Sequence, residues 1–182
     1  MIWIIGAIIL LLIVFIISVY NSLVKARQKV ENSWSQIDVQ LQRRFDLIPN
    51  LVDTVKGYMK HEEEILTKVT DLRSSWANTD NINKKAEIDN ELSSTLKTIM
   101  ALSENYPDLK ASQNFSELQQ ELQNTENKIS FSRQFYNDSV TMFNTKLEMF
   151  PSNIIASMFG FKTAELFKVE NEENRKNVKI DF

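Results

Sequence analysis

Cysteine is absent from this chain, and with it go disulfides, thiolate zinc sites, cysteine nucleophiles and lipid attachment through an N-terminal cysteine. Histidine is almost absent as well. His61 is the single imidazole, so Ser-His-Asp chemistry would rest on that residue alone, and histidine-rich metal sites are excluded. Glycine and proline number 3 each in 182 residues, which leaves little for tight turns, sheets or phosphate-cradling loops. Gly6, Gly57 and Gly160 stand singly, outside any glycine-rich motif. A surplus of positive charge is also missing. The 21 Lys+Arg stand against 24 Asp+Glu, a net charge of −3, and this is not the basic footprint a phosphate backbone requires. Nucleic acid is therefore not an expected partner. These absences leave a helix-forming composition in a chain long enough for one domain and an anchor.

The segment "MIWIIGAIILLLIVFIISV" opens the chain without a charged side chain, and at 1.5 Å per residue it matches the ~30 Å hydrocarbon core of a bilayer. A cleaved signal peptide would have a cationic start, a shorter apolar run and a small-residue cleavage site, none of which is present. Residues 1–20 are thus expected to be a retained transmembrane helix in contact with lipid. No Lys or Arg precedes the run, whereas Lys25, Arg27 and Lys29 follow it. The positive-inside bias predicts a single-pass cell-membrane protein with its N-terminus outside and its body in the cytoplasm. With essentially nothing ahead of the span, an extracellular sensing region is not expected.

Beyond the anchor the apolar residues keep helical time. Val30, Trp34, Ile37, Leu41, Phe45 and Ile48 recur at steps of three or four, one buried face of a helix that continues from the membrane. Pro49 lacks the N–H that a helix interior needs and interrupts this run, yet it suits the first turn of the next. Ile48, Val55, Glu62, Val69 and Trp76 then fall at heptad positions, interleaved with Leu51, Tyr58, Ile65 and Leu72, and predict a second helix over 48–76. Only Glu62 breaks its apolar rule. Thr79 or Asp80 is the expected cap of a third run, carried by Ile82, Leu92, Leu96, Ile99 and Met100 and ended by a turn at Pro107 and Asp108. Phe115, Leu122, Ile129, Tyr136, Phe143 and Phe150 fall at sevens and predict a fourth, long helix with all six in the core. The expected fold is all-α: the transmembrane helix, then an antiparallel up-down four-helix bundle over 21–150. Residues 151–182 form a C-terminal segment, apolar through Phe167 and charged after it. The apolar part is expected to pack against protein rather than on the bilayer, because Glu165 and the acids beyond it would be repelled by anionic lipid.

The span is followed by "YNSLVKARQKVENSWSQIDVQLQRRFDLIPNLVDTVKGYMKHE", then by "FNTKLEMFPSNIIASMFGF", and the chain closes on "VKIDF". Together these segments resemble the bacterial LemA family over nearly the whole chain. The resemblance implies a membrane-anchored antiparallel four-helix bundle. It implies no reaction and no catalytic residues that could be carried onto this sequence.

Few residues invite a chemical reading. His61 opens "HEEE", but bundle metal sites use repeated Glu-x-x-His pairs, and the residue three before His61 is Tyr58. The stretch reads as solvated charge at a helix end, so no metal and no cofactor are expected. No serine is marked as a partner for His61, and no catalytic residue is expected. The adjacent arginines separate by phase. At 100° per residue Arg43 points away from the apolar stripe, within reach of a surface pair with Asp46, and Arg44 falls at its margin. Arg44 therefore occupies a seam position, as Glu62 does. Charges at such positions need partners, and paired they fix register at some cost in stability. Asp38, Gln40, Glu62 or a glutamate of the third helix are the available partners, and Asp38, Arg44 and Glu62 are the candidate buried polar or partner-binding residues. The reading that follows is a non-enzymatic, membrane-anchored scaffold or adaptor for a membrane or cytoplasmic protein or for its own copies. A signalling or envelope-stress component and an unrecognised ligand-binding or enzymatic bundle are the alternatives. A buried cluster of two or more carboxylates would favour the last of these, and an aliphatic interior would count against it.

Overall fold

A computed structural model of the chain describes residues 1–59 and 61–167, and among them every regular element is a helix. In chain order these are α1 (Ile2–Asp46), α2 (Ile48–Lys56), α3 (Glu63–Ala77), α4 (Ile82–Ser103), α5 (Pro107–Lys110), α6 (Gln113–Glu148) and α7 (Ser152–Met158). The charged tail and the closing "VKIDF" lie outside the described residues. The first part of α1 is long and apolar enough to cross a membrane, and none of it is buried by protein.

Three departures from the expected elements are instructive. The second run is divided into α2 and α3, because Gly57 weakens the helix where α2 ends, and Glu62, Glu63 and Glu64 favour a new N-terminus. Glu62 thus stands just outside α3 as its N-cap residue rather than on a continuous seam. Asn81, not Thr79 or Asp80, caps α4, its side chain accepting the Lys84 N–H at 3.0 Å. The turn expected at Pro107 is the short helix α5, with Pro107 in its first turn.

The chain divides into two compact units. The first comprises Met1–Val39 and Ile129–Leu166. Here α1 and α6 run antiparallel, as the Lys146 Nζ to Ser22 Oγ bond of 2.9 Å and the edge-to-face Trp34–Tyr136 pair at 5.8 Å establish. Ile37, Ile129, Tyr136, Val140 and Phe143 are buried. Phe150 is not: α6 stops at Glu148, and the ring is 79% exposed, which removes it from the expected core. The Phe150–Pro151 peptide is cis. After it α7 buries Ile155 and Ala156 against Leu23, flanked by Ile16, Val19, Leu147 and Phe161. Gly160, at φ +69°, ends α7 in the left-handed conformation that suits glycine. The Phe161 N–H reaches the Ala156 carbonyl at 3.0 Å and the Gly160 N–H that of Ser157 at 3.3 Å, the Schellman pattern. The segment after it is pinned to α6 by Asn144, whose side-chain amide exchanges two 2.9 Å bonds with the backbone of Ala164, and by Tyr136, whose hydroxyl donates to the Glu165 carbonyl at 2.9 Å.

The second unit comprises Gln40–Lys128 together with Phe167. α3 and α4 pack as an antiparallel hairpin, with Lys68 meeting Glu91 at 2.8 Å and the Lys85 ammonium 4.6 Å from the Trp76 ring centre. Trp76 stacks on Phe45 with centroids 4.8 Å apart. Leu41, Ile48, Leu51, Val55, Met59, Val69, Leu92, Ile99, Leu109 and Phe115 complete this core.

Burial first, and then the Glu165 carboxylate, push the Tyr136 phenol above its ordinary value of 10.0. The folded state therefore favours the neutral phenol. Its contribution is present in full below pH 10 and is lost as pH rises through the higher folded value. Tyr136→Phe removes the titration and one hydrogen bond of ~0.5–1.5 kcal/mol. Denaturation of the full chain in detergent should show the variant less stable at neutral pH, with a shallower fall above pH 10. An unchanged alkaline slope would show that Tyr136 does not titrate with folding.

Candidate functional site

α1 enters the second unit with Gln40, and its last full turn carries the arginine pair. The apolar stripe of Leu41, Phe45 and Ile48 turns inward and takes Arg44 with it, since Arg44 follows Leu41 by three residues. Arg44 is 3% exposed. Its Nη1 reaches Asp89 Oδ1 on α4 at 2.8 Å, Glu126 Oε2 on α6 at 2.7 Å and Ser93 Oγ at 2.9 Å. The Ser93 hydroxyl, which accepts from Arg44, donates in turn to Glu126 Oε2 at 3.3 Å. One guanidinium thereby ties together the end of α1, the middle of α4 and the middle of α6. Arg44 Nε has no hydrogen-bond partner among the described residues.

The two carboxylates differ in setting. Asp89 is fully buried, so its charge relies on Arg44 and the protein around it, whereas the Glu126 side chain keeps 35% of its surface in solvent. Beside Arg44, Ser93 and Glu126 lies a cavity of about 310 Å³, bordered by Leu96, Met100 and Leu122. Arg43 points outward, as its phase requires, and pairs with Glu121 of α6, while Asp46 accepts from Gln42 Nε2 at 2.8 Å. The Arg43–Glu121 pair is exposed and contributes little.

Of the residues singled out by spacing, Arg44 is the one at the centre of this cluster. Asp38 is half-buried on α1 in the first unit, and Glu62 is the N-cap residue of α3. Asp89, Ser93 and Glu126 were not singled out. Their signal is nevertheless present. Stepping back from Leu96 and Leu92 by seven and three residues lands on Asp89, and Glu126 follows the buried Leu122 by four. A carboxylate occupying a seam position was the cue. Among the described residues no group of three or more His, Asp or Glu is placed to hold a metal ion.

An all-helical chain with one membrane-length apolar helix and an ion pair locked into its core defines the class. Residues 33–182 match the LemA family, and the chain belongs to it. It is 31% identical to Protein LemA of Metamycoplasma hominis over 157 residues, covering 84% of this chain and 70% of that protein. It is 23% identical to Magnetosome protein MamQ 2 of Paramagnetospirillum magneticum over 175 residues, and to Magnetosome protein MamQ of Magnetospirillum gryphiswaldense over 174 residues. These matches cover 82% and 81% of this chain but 64% of each MamQ protein, less than two thirds of their length.

Removing one partner of a buried ion pair costs about 3–5 kcal/mol, against ~1 kcal/mol or less for an exposed pair. Arg44→Ala should therefore lower the denaturation midpoint of the full chain in detergent well below that of Arg43→Ala. Equal losses would show that the two arginines carry equal weight.

Proposed function

We propose that this chain is a membrane-anchored, non-enzymatic scaffold or adaptor that presents a cytoplasmic helical bundle to protein partners. Several features support the reading. The apolar start of α1 serves as the single-pass anchor, and Lys25, Arg27 and Lys29 on its C-terminal side keep the body in the cytoplasm. Kinship with the LemA and MamQ proteins accords with membrane association. The runs in α1, α2 with α3, α4 and α6 compose an up-down four-helix bundle in this reading.

The observation that carries the proposal is an open groove of about 560 Å³ in the second unit, formed by α2 and the start of α6. Leu47 and Leu118 give it apolar surface, and Asp53 and Glu117 line it with negative charge beside Glu121, which is paired with Arg43. Such a groove suits a partner segment that is apolar on one side and rich in Lys or Arg on the other. Arg44, by contrast, is engaged by the protein's own carboxylates, which supports a role in holding helices together. A minor reading, ligand binding in the cavity beside Arg44, draws on Arg44, Lys97 and Glu126, which line it.

A photo-cross-linker at Thr54, in the groove, should capture discrete protein adducts from native membranes, and Asp53→Lys combined with Glu117→Lys should remove them. Adducts identical to those from a probe at Thr98, on the exposed side of α4, would count against the groove. In the same strain, a reporter that works only in the cytoplasm should be active when fused after Phe182. A silent but intact reporter would reverse the orientation.

A further inference from the structure

α7 is docked on the membrane end of α1. Ile155 and Ala156 pack on Leu23 with Ile16 and Val19 beside them, and Ile16 and Val19 belong to the charge-free run that opens the chain. The short helix therefore lies at the level where the span ends. Its other side is apolar and uncovered: Ile154 and Met158, four residues apart, are exposed, Met158 to 68%, and Phe150 precedes Ile154 by the same interval. The Phe159 ring extends this patch and lies 4.8 Å from Tyr20, the first residue after the run, while the Phe161 ring lies 5.8 Å from Tyr20 on its other contact. A contiguous exposed apolar patch marks an interaction surface. Its position beside the span argues for what covers it.

From this placement we infer that α7 and the corner before it are an interfacial foot, with Phe150, Ile154, Met158 and Phe159 set into the lipid of the leaflet nearest the body of the protein. The physical reasons converge on lipid. Residues that pack on Ile16 and Val19 stand at the depth of the last turn of a transmembrane helix, where any outward apolar side chain meets acyl chains or glycerol groups. Tyr20 and Phe159 are the ring types expected at that boundary. The cations come just beyond it. Lys25 and Lys162 are exposed, the Arg27 guanidinium lies 5.4 Å from the Phe161 ring centre, and Lys146 reaches Ser22. They outnumber the carboxylates of Glu148, Glu165 and Glu31, the last of these paired with Arg27 at 3.8 Å, and suit an anionic headgroup layer. Packing against protein, expected for this segment from its sequence, describes one face of α7 and leaves the other to the bilayer.

The inference rests on the anchor reading of α1, and the test separates the two. Because the chain has no cysteine, a single introduced cysteine carries a fluorescent label without background. Full-length Phe150→Cys, Ile154→Cys and Met158→Cys, each at an exposed site, are labelled with bimane in nanodiscs of phosphatidylglycerol and phosphatidylethanolamine. Shallow nitroxide lipids should remove more than half of the emission at all three positions, and aqueous iodide should remove little. A label at Ile9→Cys, within the span, should respond to deep nitroxide lipids, and one at Lys128→Cys only to iodide. If Ile9→Cys responds to lipid but the three foot positions respond to iodide as Lys128→Cys does, the foot is refuted and the anchor stands. Foot positions shielded from both quenchers would mean that protein covers the patch, which also overturns the inference. An Ile9→Cys label open to iodide would overturn the anchor and the foot together.

Discussion

A guanidinium taken out of water must have its charge met inside the protein, and Arg44 meets that condition through Asp89 and Glu126. The constraint is directional. A planar, always-charged group with a fixed set of donors accepts carboxylates at few positions, so α4 and α6 are held in register against the end of α1. Sliding α4 by one residue would swing Asp89 ~100° around its helix and strand its charge, leaving Arg44 with Glu126 alone. The same slip would turn Leu92, Leu96 and Ile99 off the core face, and the ion pair adds the requirement that one particular carboxylate of α4 face Arg44. The pair is thus better understood as a device that selects one packing than as a large source of stability.

What the sequence made legible followed the strength of its periodicity. Phe115, Leu122, Ile129, Tyr136 and Phe143 are buried because a seven-residue spacing returns each to the same helix face. Phe150 continues the spacing but not the helix, and spacing has no way to report that α6 ends at Glu148. Likewise the run from Ile48 to Trp76 kept its period across a break, because the residues of α2 and α3 each face a core even though α2 ends at Lys56 and α3 begins only at Glu63. The wheel put Arg44 at the edge of a seam, and the structure adds its partners. Those could not be named beforehand, since a single helix wheel says which way a side chain points and not what a distant segment brings to meet it. Asp89 was overlooked because the third run was read from its apolar residues alone.

The ends of the described fold obey a different solvent. In the second unit, exposed side chains are mostly polar or charged, as water requires. In the first unit, Val39 of α1 and Phe131, Phe135 and Met142 of α6 are exposed, but most of the large exposed apolar side chains lie on the start of α1 and around α7, where Phe150, Ile154 and Met158 would be unfavourable in water. Reading that surface as facing lipid removes the anomaly. It also gives α7 a reason to exist: after α6 ends, a short helix closed by Gly160 turns the chain along the membrane end of α1 and back toward Tyr136 and Asn144.

The claim on which this account rests most heavily is that Arg44 and Asp89 act as one unit in selecting the packing of the helices. A double-mutant cycle with Arg44→Met, Asp89→Leu and the two combined tests it most directly, read by chemical denaturation of the full chain in detergent. Arg44→Met leaves the buried Asp89 charge unmatched, and Asp89→Leu leaves Arg44 with the part-exposed Glu126 alone; each should be destabilised, whereas the combined variant should recover much of the loss, with a coupling on the order of 2–3 kcal/mol. Losses that simply add would contradict the account.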